Sequence, residues 1–389
     1  MPEPAPHAAG GLWVGLLRRV HLADDTPRGL RRRVVVVVLL AWLPLLLLSA
    51  TEGRLFDGTG VPFVRDIEAH VRMLIVIPLL LMAEVEARAF LPTVVQEFAR
   101  RNLIPADAMP RYEAAVEAGS RLRNSAWAEA ALLVLVYALF MGVVWRQYGS
   151  IYASTWYSTR SGAGNDLSPA GWWYVTVSLP LVQFLILRWY LWIFAWARFQ
   201  WQASRIPLRL VPTHPDRAGG LGFLEGSGYI FLMVAVAHGA IAAGPIASLI
   251  VFKGAALPEF VDELAMIVAW VIFVIYGPAL FFSAQLMAAK KTGLFAFGRL
   301  AQRYVRDFDV KWLNGHSPPV NEPLIGSADI QSLADLGSAY GNVEGLRLLP
   351  MSYIAVLRLA AITLVPVAPL LLTMVPLNEL LLRLFSIAL

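Results

Sequence analysis

The chain has 389 residues, 58% hydrophobic and 15% charged, with a mean hydropathy of +0.61. A soluble protein carries roughly a quarter charged residues, so an ordinary soluble domain is excluded. The absence of cysteine excludes disulfides, thiolate chemistry and Cys-ligated zinc or iron–sulfur centres. The net charge of +5 resembles a nucleic-acid signal only until the charges are placed. They gather in alternate loops, which is the pattern of membrane topology, and no nucleic acid is expected.

Residues 1–33 form a cytoplasmic N-terminal segment, Pro- and Ala-rich at first. An amphipathic piece follows, with Trp13, Leu16, Leu17 and Val20 opposite Arg18 and Arg19, and it is expected to lie in the interface. Arg31 to Arg33 lead into a first apolar run, Val34 to Ala50, which is too long for the core of a cleaved signal peptide. Further spans are predicted from Val71, over Ser125–Trp145, between the aromatic clusters Trp172–Tyr174 and Trp189–Trp196, over Tyr229–Phe252 and over Leu264–Met287. Residues 34–287 thus form a six-helix bundle of three hairpins. Each hairpin has a proline in its second helix (Pro78, Pro180, Pro278), and coincidence explains these prolines better than an internal repeat does.

Residues 288–350 read as a cytoplasmic helical region. It consists of a basic amphipathic helix, Lys290 to Trp312, a Pro-containing loop, and a helix capped by Ser327 with Gly337 as a point of interruption. Residues 351–389 hold a last span, Ile354 to about Val375, kinked at Pro366 and Pro369, and a tail that is either interfacial or re-entrant. The fold class is therefore an all-α polytopic membrane protein of about seven spans. Lys and Arg on the predicted cytoplasmic side outnumber those on the other by about three to one. This puts the N-terminus, the loop 205–228 and residues 288–350 in the cytoplasm, with a bacterial-type inner membrane as the expected location.

The loop Thr213–Gly228 packs a His, three charged residues and five glycines between two apolar segments. His214, Asp216, Arg217, Gly219, Gly220 and Gly222 are candidates for an anion cradle, because free backbone N–H groups beside an arginine suit a phosphate. The loop lacks the Gly-Lys-Ser/Thr ending of a phosphate-binding P-loop. The competing reading is a tight turn that packs one helix beneath another.

Ionisable residues inside spans are costly and mark function by default. Glu129, Glu225 and His238, with Gln183 and Gln285, are the candidates for a transport path. His238 is the deepest titratable group, and its alternative role is a neutral histidine bonded to a neighbouring helix. Glu84 and Arg88 are expected to pair across one helical turn, and Arg188 and Arg358 to snorkel to the interface. Small residues at Ala235, Gly239 and Ala243, and at Ala240, Gly244 and Ser248, predict a fifth span packed on two faces and bent at Pro245.

No catalytic signature is present: there is no Gly-x-Ser-x-Gly elbow, no His-Glu-x-x-His and no metal-spaced histidine pair. No cofactor and no metal are expected. The sequence supports an oligomeric channel or small transporter for an ion or small solute. The alternative is a membrane-anchored sensor or scaffold whose cytoplasmic loops bind a ligand or partner. Acidic lipid head groups on the basic helix and further copies of the chain are the expected partners.

Overall fold

The computed structural model describes residues 11–148, 155–161, 164–313 and 327–374. The extreme N-terminus, the loop 314–326 and the C-terminal tail lie outside the described residues. The chain is predominantly helical. Helix α1 (Leu12–Arg19) is followed by α2 (Pro27–Thr51), which starts at Thr26: its hydroxyl accepts from Gly29 N at 3.2 Å, with Pro27 at the first helical position. A short α3 (Ile67–His70), capped by Asp66, runs through a π-helical turn, Val71–Val76, into α4 (Ile77–Arg100). Then come α5 (Met109–Arg123) and α6 (Ala126–Tyr148). Two four-residue strands, β1 (Ser158–Ser161) and β2 (Gly164–Leu167), pair antiparallel, a small departure from an all-α chain.

Helix α7 (Pro169–Trp173) passes through a second π-turn, Tyr174–Ser178, into α8 (Leu179–Ala203). The short α9 (Ser227–Ile230) and α10 (Leu232–Lys253) follow, and Gly254 ends α10 in the left-handed conformation. Helix α11 (Val261–Tyr276) joins α12 (Ser283–Phe308) through a 3₁₀ segment, Gly277–Phe282. Helix α13 (Ala328–Glu344) and α14 (Tyr353–Leu364) complete the order, and α14 tightens into 3₁₀ geometry over Val365–Thr373.

Among the described residues, five helices are long and apolar enough to cross a membrane: Pro27–Thr51, Pro169–Ala203, Leu232–Lys253, Leu257–Leu313 and Tyr353–Thr373. The other two expected spans map onto α4, whose middle carries Glu84, Glu86 and Arg88, and α6, whose apolar stretch is Ala126–Ala138. This is a multi-pass helical membrane protein.

Pro78, Pro180 and Pro278 each coincide with a break in the α-helical ladder, the first two just after a π-turn and the third inside the 3₁₀ segment. A proline donates no N–H, and its ring crowds the carbonyl one turn back, so the preceding turn relaxes. Pro44, Pro92 and Pro245 sit inside continuous helices, so proline alone does not break the ladder here. The kink expected at Pro366 and Pro369 takes the form of the 3₁₀ conversion after α14.

Helix α10 is the packing centre, in contact with α3, α4, α11 and α14. A Cβ on Gly239 would fall 1.8 Å from the carbonyl oxygen of Thr363, and one on Gly244 would lie 3.4 Å from Glu68 Cα. The two small-residue faces are thus used on two sides. Two local expectations are corrected. The apolar face of α1 differs from the expected one: Trp13, Val14 and Leu17 are buried, with Trp13 packed on Phe184, while Leu16 and Val20 are exposed. Helix α13 runs through Gly337 without interruption. The connection 100–123 contains α5, whose Tyr112 and Ala115 are buried.

Candidate functional site

Among the described residues, a cluster of buried charged side chains lies among α1, α2, α4, α6 and α8. Arg188 of α8, which was expected to snorkel, is only 4% exposed. Its guanidinium forks onto Glu84 of α4, with Nη1 to Oε2 at 2.9 Å and Nη2 to Oε1 at 3.1 Å, and its Nε donates to Glu129 of α6 at 2.7 Å. Glu84 and Glu129 are 1% and 0% exposed. Arginine suits this position because its planar fork can meet two carboxylates at once.

The cluster extends from both carboxylates. The second Glu129 oxygen accepts the backbone N–H of Trp13 at 2.8 Å, which ties down the start of α1. Gly11 lets the chain approach closely there, since a Cβ would crowd the Glu129 carboxylate and force it to shift. Glu84 also accepts from Arg88, the expected one-turn pair. Arg88 reaches Asp25 at 3.3 Å, and Asp25 pairs with Arg33 at 2.8 Å. Arg33, 1% exposed, further donates to the carbonyls of Leu22 and Asp24. Three carboxylates and three arginines therefore alternate in one chain: Glu129, Arg188, Glu84, Arg88, Asp25, Arg33. Such alternation allows Glu129, Arg188, Glu84 and Arg33 to be buried, because each loses water but gains opposite charge or hydrogen bonds, while Asp25 and Arg88 keep contact with solvent.

The other sequence candidates are dispersed. His238 is half-buried against α8 and α11, and its Nδ1 lies 2.7 Å from the carbonyl of Val234. That contact fits Nδ1–H as donor, leaving Nε2 to accept from the Tyr190 hydroxyl at 2.8 Å, which in turn accepts from Trp270 Nε1 at 2.8 Å. The cavity beside it, about 10 Å³, offers at most the room of one water. Gln285 fastens the chain after α8: its Oε1 accepts from Leu208 N, and its Nε2 donates to the carbonyls of Ser204 and Ile206. Glu225 holds Ser352, the N-cap of α14, by accepting from its N–H at 2.7 Å and its hydroxyl at 3.0 Å. Gln183 is half-buried on α8 and joins none of these groups.

No protein-family model matches the chain, and no curated protein or solved structure is significantly similar to it.

In the glycine-rich loop, the backbone N–H groups that could cradle an anion converge on the carboxylate of Asp216. Ala218 N and Gly220 N donate to Oδ1 at 2.8 and 3.2 Å, and Gly222 N donates to Oδ2 at 2.8 Å. Gly219 and Gly220 have φ of +64° and +98°, which glycine adopts without strain, and Arg217 follows them into that region at +51°. His214 Nδ1 lies 2.9 Å from Asp216. Arg347 binds the loop from outside, its N–H to the Arg217 carbonyl and its guanidinium to the Asp216 carbonyl, both at 2.8 Å. Lys290 donates to Leu346 O, so the loop, α12 and the α13–α14 connection form one tied unit.

Burial alone raises the pKa of Asp216, but the N–H groups of Ala218, Gly222 and Gly220 and the neighbouring His214 outweigh it and hold the carboxyl below its ordinary value of 3.8. A depressed folded-state pKa contributes stability that is present above the ordinary value and lost as pH falls through the folded one. Asp216→Ala should therefore lose about 1.5–3 kcal/mol at neutral pH, the worth of hydrogen bonds to a charged group. The loss should shrink as pH drops below about 4, and thermal unfolding of both proteins from pH 7 to pH 3 measures it. A constant difference across that range would remove the carboxylate from the explanation.

Proposed function

We propose that the chain is a proton-linked small transporter whose working centre is the Glu84–Arg188–Glu129 cluster. The observation that carries this reading is one buried arginine shared by carboxylates from two other helices. Intramembrane carboxylates of this kind take part in proton relays. Protonating either Glu84 or Glu129 leaves Arg188 to the other and changes what holds α4, α6 and α8 together. Each cluster element is then a bistable contact of the sort an alternating carrier needs. A carrier is favoured over a channel because the roomy cavities, about 610 and 380 Å³, are lined mainly by apolar side chains between helices. His238 is assigned a packing role within this reading.

The test uses the full chain in liposomes loaded with a pH-sensitive dye and subjected to a proton gradient. Wild type and His238→Phe should dissipate the gradient at similar rates, and Glu129→Gln, which keeps an acceptor for Trp13 N, should lose at least tenfold. Equal rates for wild type and Glu129→Gln would overturn the proposal.

The seven-span topology with a cytoplasmic N-terminus belongs to the same reading and is supported by the charge asymmetry. Because the chain has no cysteine, single cysteines report sidedness directly. In intact cells an impermeant thiol reagent should label Thr51→Cys and spare Ser338→Cys on α13. The reverse pattern would invert the topology. Acidic head groups along α12 and a homo-oligomeric assembly are further parts of the proposal.

The sensor or scaffold alternative draws on a specific observation, the tie between the glycine-rich loop and the α12–α13 region through Arg347 and Lys290. Intact cluster geometry with no gradient dissipation by any variant would favour it.

A further inference from the structure

A half-open groove of about 380 Å³ lies between α4, α5 and α8. Its walls are apolar, with Leu91 and Val95 from α4, Val116 from α5 and Phe199 from α8. Three nitrogen donors sit in its lining residues without an acceptor. They are Nε of Arg123 and the indole N–H groups of Trp192 and Trp196, all closed off from solvent. Trp192 and Trp196 are 3% and 5% exposed, so these donors have lost water and gained nothing in exchange. Gln96 also lines the groove, but its side-chain oxygen is already taken by Arg100 at 2.9 Å.

Charge points the same way. The six alternating charges around Arg188 pair with one another, Arg33 Nη1 alone among their nitrogens being buried without a partner. Arg123 stands beside that chain with no carboxylate in salt-bridge range among the described residues. Its guanidinium lies 5.2 Å from the ring centroid of Trp192, whose other contact of this kind is Arg188 at 5.1 Å. An uncompensated cation next to unmet donors calls for an anion rich in acceptor oxygens. The apolar walls call for a hydrocarbon tail on the same molecule.

We infer that the groove between α4, α5 and α8 is a binding site for an anionic phospholipid, with the phosphate on the Arg123 guanidinium and an acyl chain along Leu91, Val95, Val116 and Phe199. The inference concerns a site separate from the proton-linked centre and stands without transport. In the proposed topology α5 lies at the cytoplasmic face, so the lipid comes from the inner leaflet.

The full-length protein, delipidated in a neutral detergent, is titrated with phosphatidylglycerol, with phosphatidylcholine and with inorganic phosphate, and bound molecules are counted by native mass spectrometry. Phosphatidylglycerol should bind at least tenfold more tightly than phosphatidylcholine, and phosphate alone should bind weakly. Arg123→Gln should abolish the preference between the two lipids. Ser120→Leu leaves Arg123 in place and fills the groove from α5, so it should weaken phosphatidylglycerol at least fivefold. It also serves as the second variant if Arg123→Gln fails to fold. Equal binding of the two lipids to wild type, or a preference unchanged in both variants, would overturn the inference. Inorganic phosphate binding as tightly as phosphatidylglycerol would overturn it in favour of a free anion.

Discussion

Arg188→Met is expected to destabilise the protein by about 3–5 kcal/mol, the cost of removing one partner from a buried ion pair. The substitution keeps much of the side-chain volume but leaves Glu84 and Glu129, both almost fully buried, without the cation that they share. Glu84 retains Arg88, whereas Glu129 retains only the backbone N–H of Trp13. The loss should therefore appear first as release of α1 and α6. Intrinsic fluorescence during thermal unfolding in detergent reports the stability, and limited proteolysis near residue 20 reports α1. Adding Glu84→Gln and Glu129→Gln to Arg188→Met should recover most of the loss, because neutral amides need no counter-charge. A single mutant as stable as wild type would show that the carboxylates are neutral in the folded protein and that Arg188 is dispensable to its packing.

Gly239→Ala should have the next largest effect, and it is steric. The added methyl would sit 1.8 Å from the Thr363 carbonyl oxygen, a backbone atom that cannot rotate away, so α10 and α14 must separate. Overpacking of a well-filled interior costs about 1–3 kcal/mol, and a backbone clash belongs at the upper end of that range. Gly337→Ala is the matched control. Gly337 lies inside α13 with open space around its Cα, so alanine there should stabilise by about 0.5–1 kcal/mol through helix propensity. Comparable yields and melting temperatures for both variants would remove the close α10–α14 contact.

The sequence was most informative where the physics is local. Runs of apolar residues reveal spans because each span must satisfy its own backbone in lipid, and the small-residue periodicity of α10 reveals close packing for the same reason. The Glu84–Arg88 pair was legible because its partners are one turn apart. The role of Arg188 was not, since Glu129 and Glu84 lie 59 and 104 residues away, and a lone arginine near a helix end looks the same whether it snorkels or pairs. Glu129 drew attention as an intramembrane carboxylate, but its partner was hidden. In the loop, the glycines marked tight geometry correctly, while the destination of their N–H groups depended on Asp216 turning back on its own backbone. His238 was singled out by depth alone. Whether a deep histidine conducts or packs depends on neighbours such as Tyr190 and Trp270, contributed by other helices.

The alternating charge chain also sets an order of events while the protein is being made. Asp25 and Arg33, and then Glu84 and Arg88, are close enough in sequence to find each other as soon as they leave the ribosome. Glu129 pairs instead with an arginine that is synthesised 59 residues after it. At ~5–20 residues per second that interval lasts about 3–12 seconds. During it the carboxyl of Glu129 must stay at the water boundary or carry a proton. Helix α6 therefore settles to its final depth only when α8 arrives, and the bundle closes around Arg188 as a late step of biogenesis.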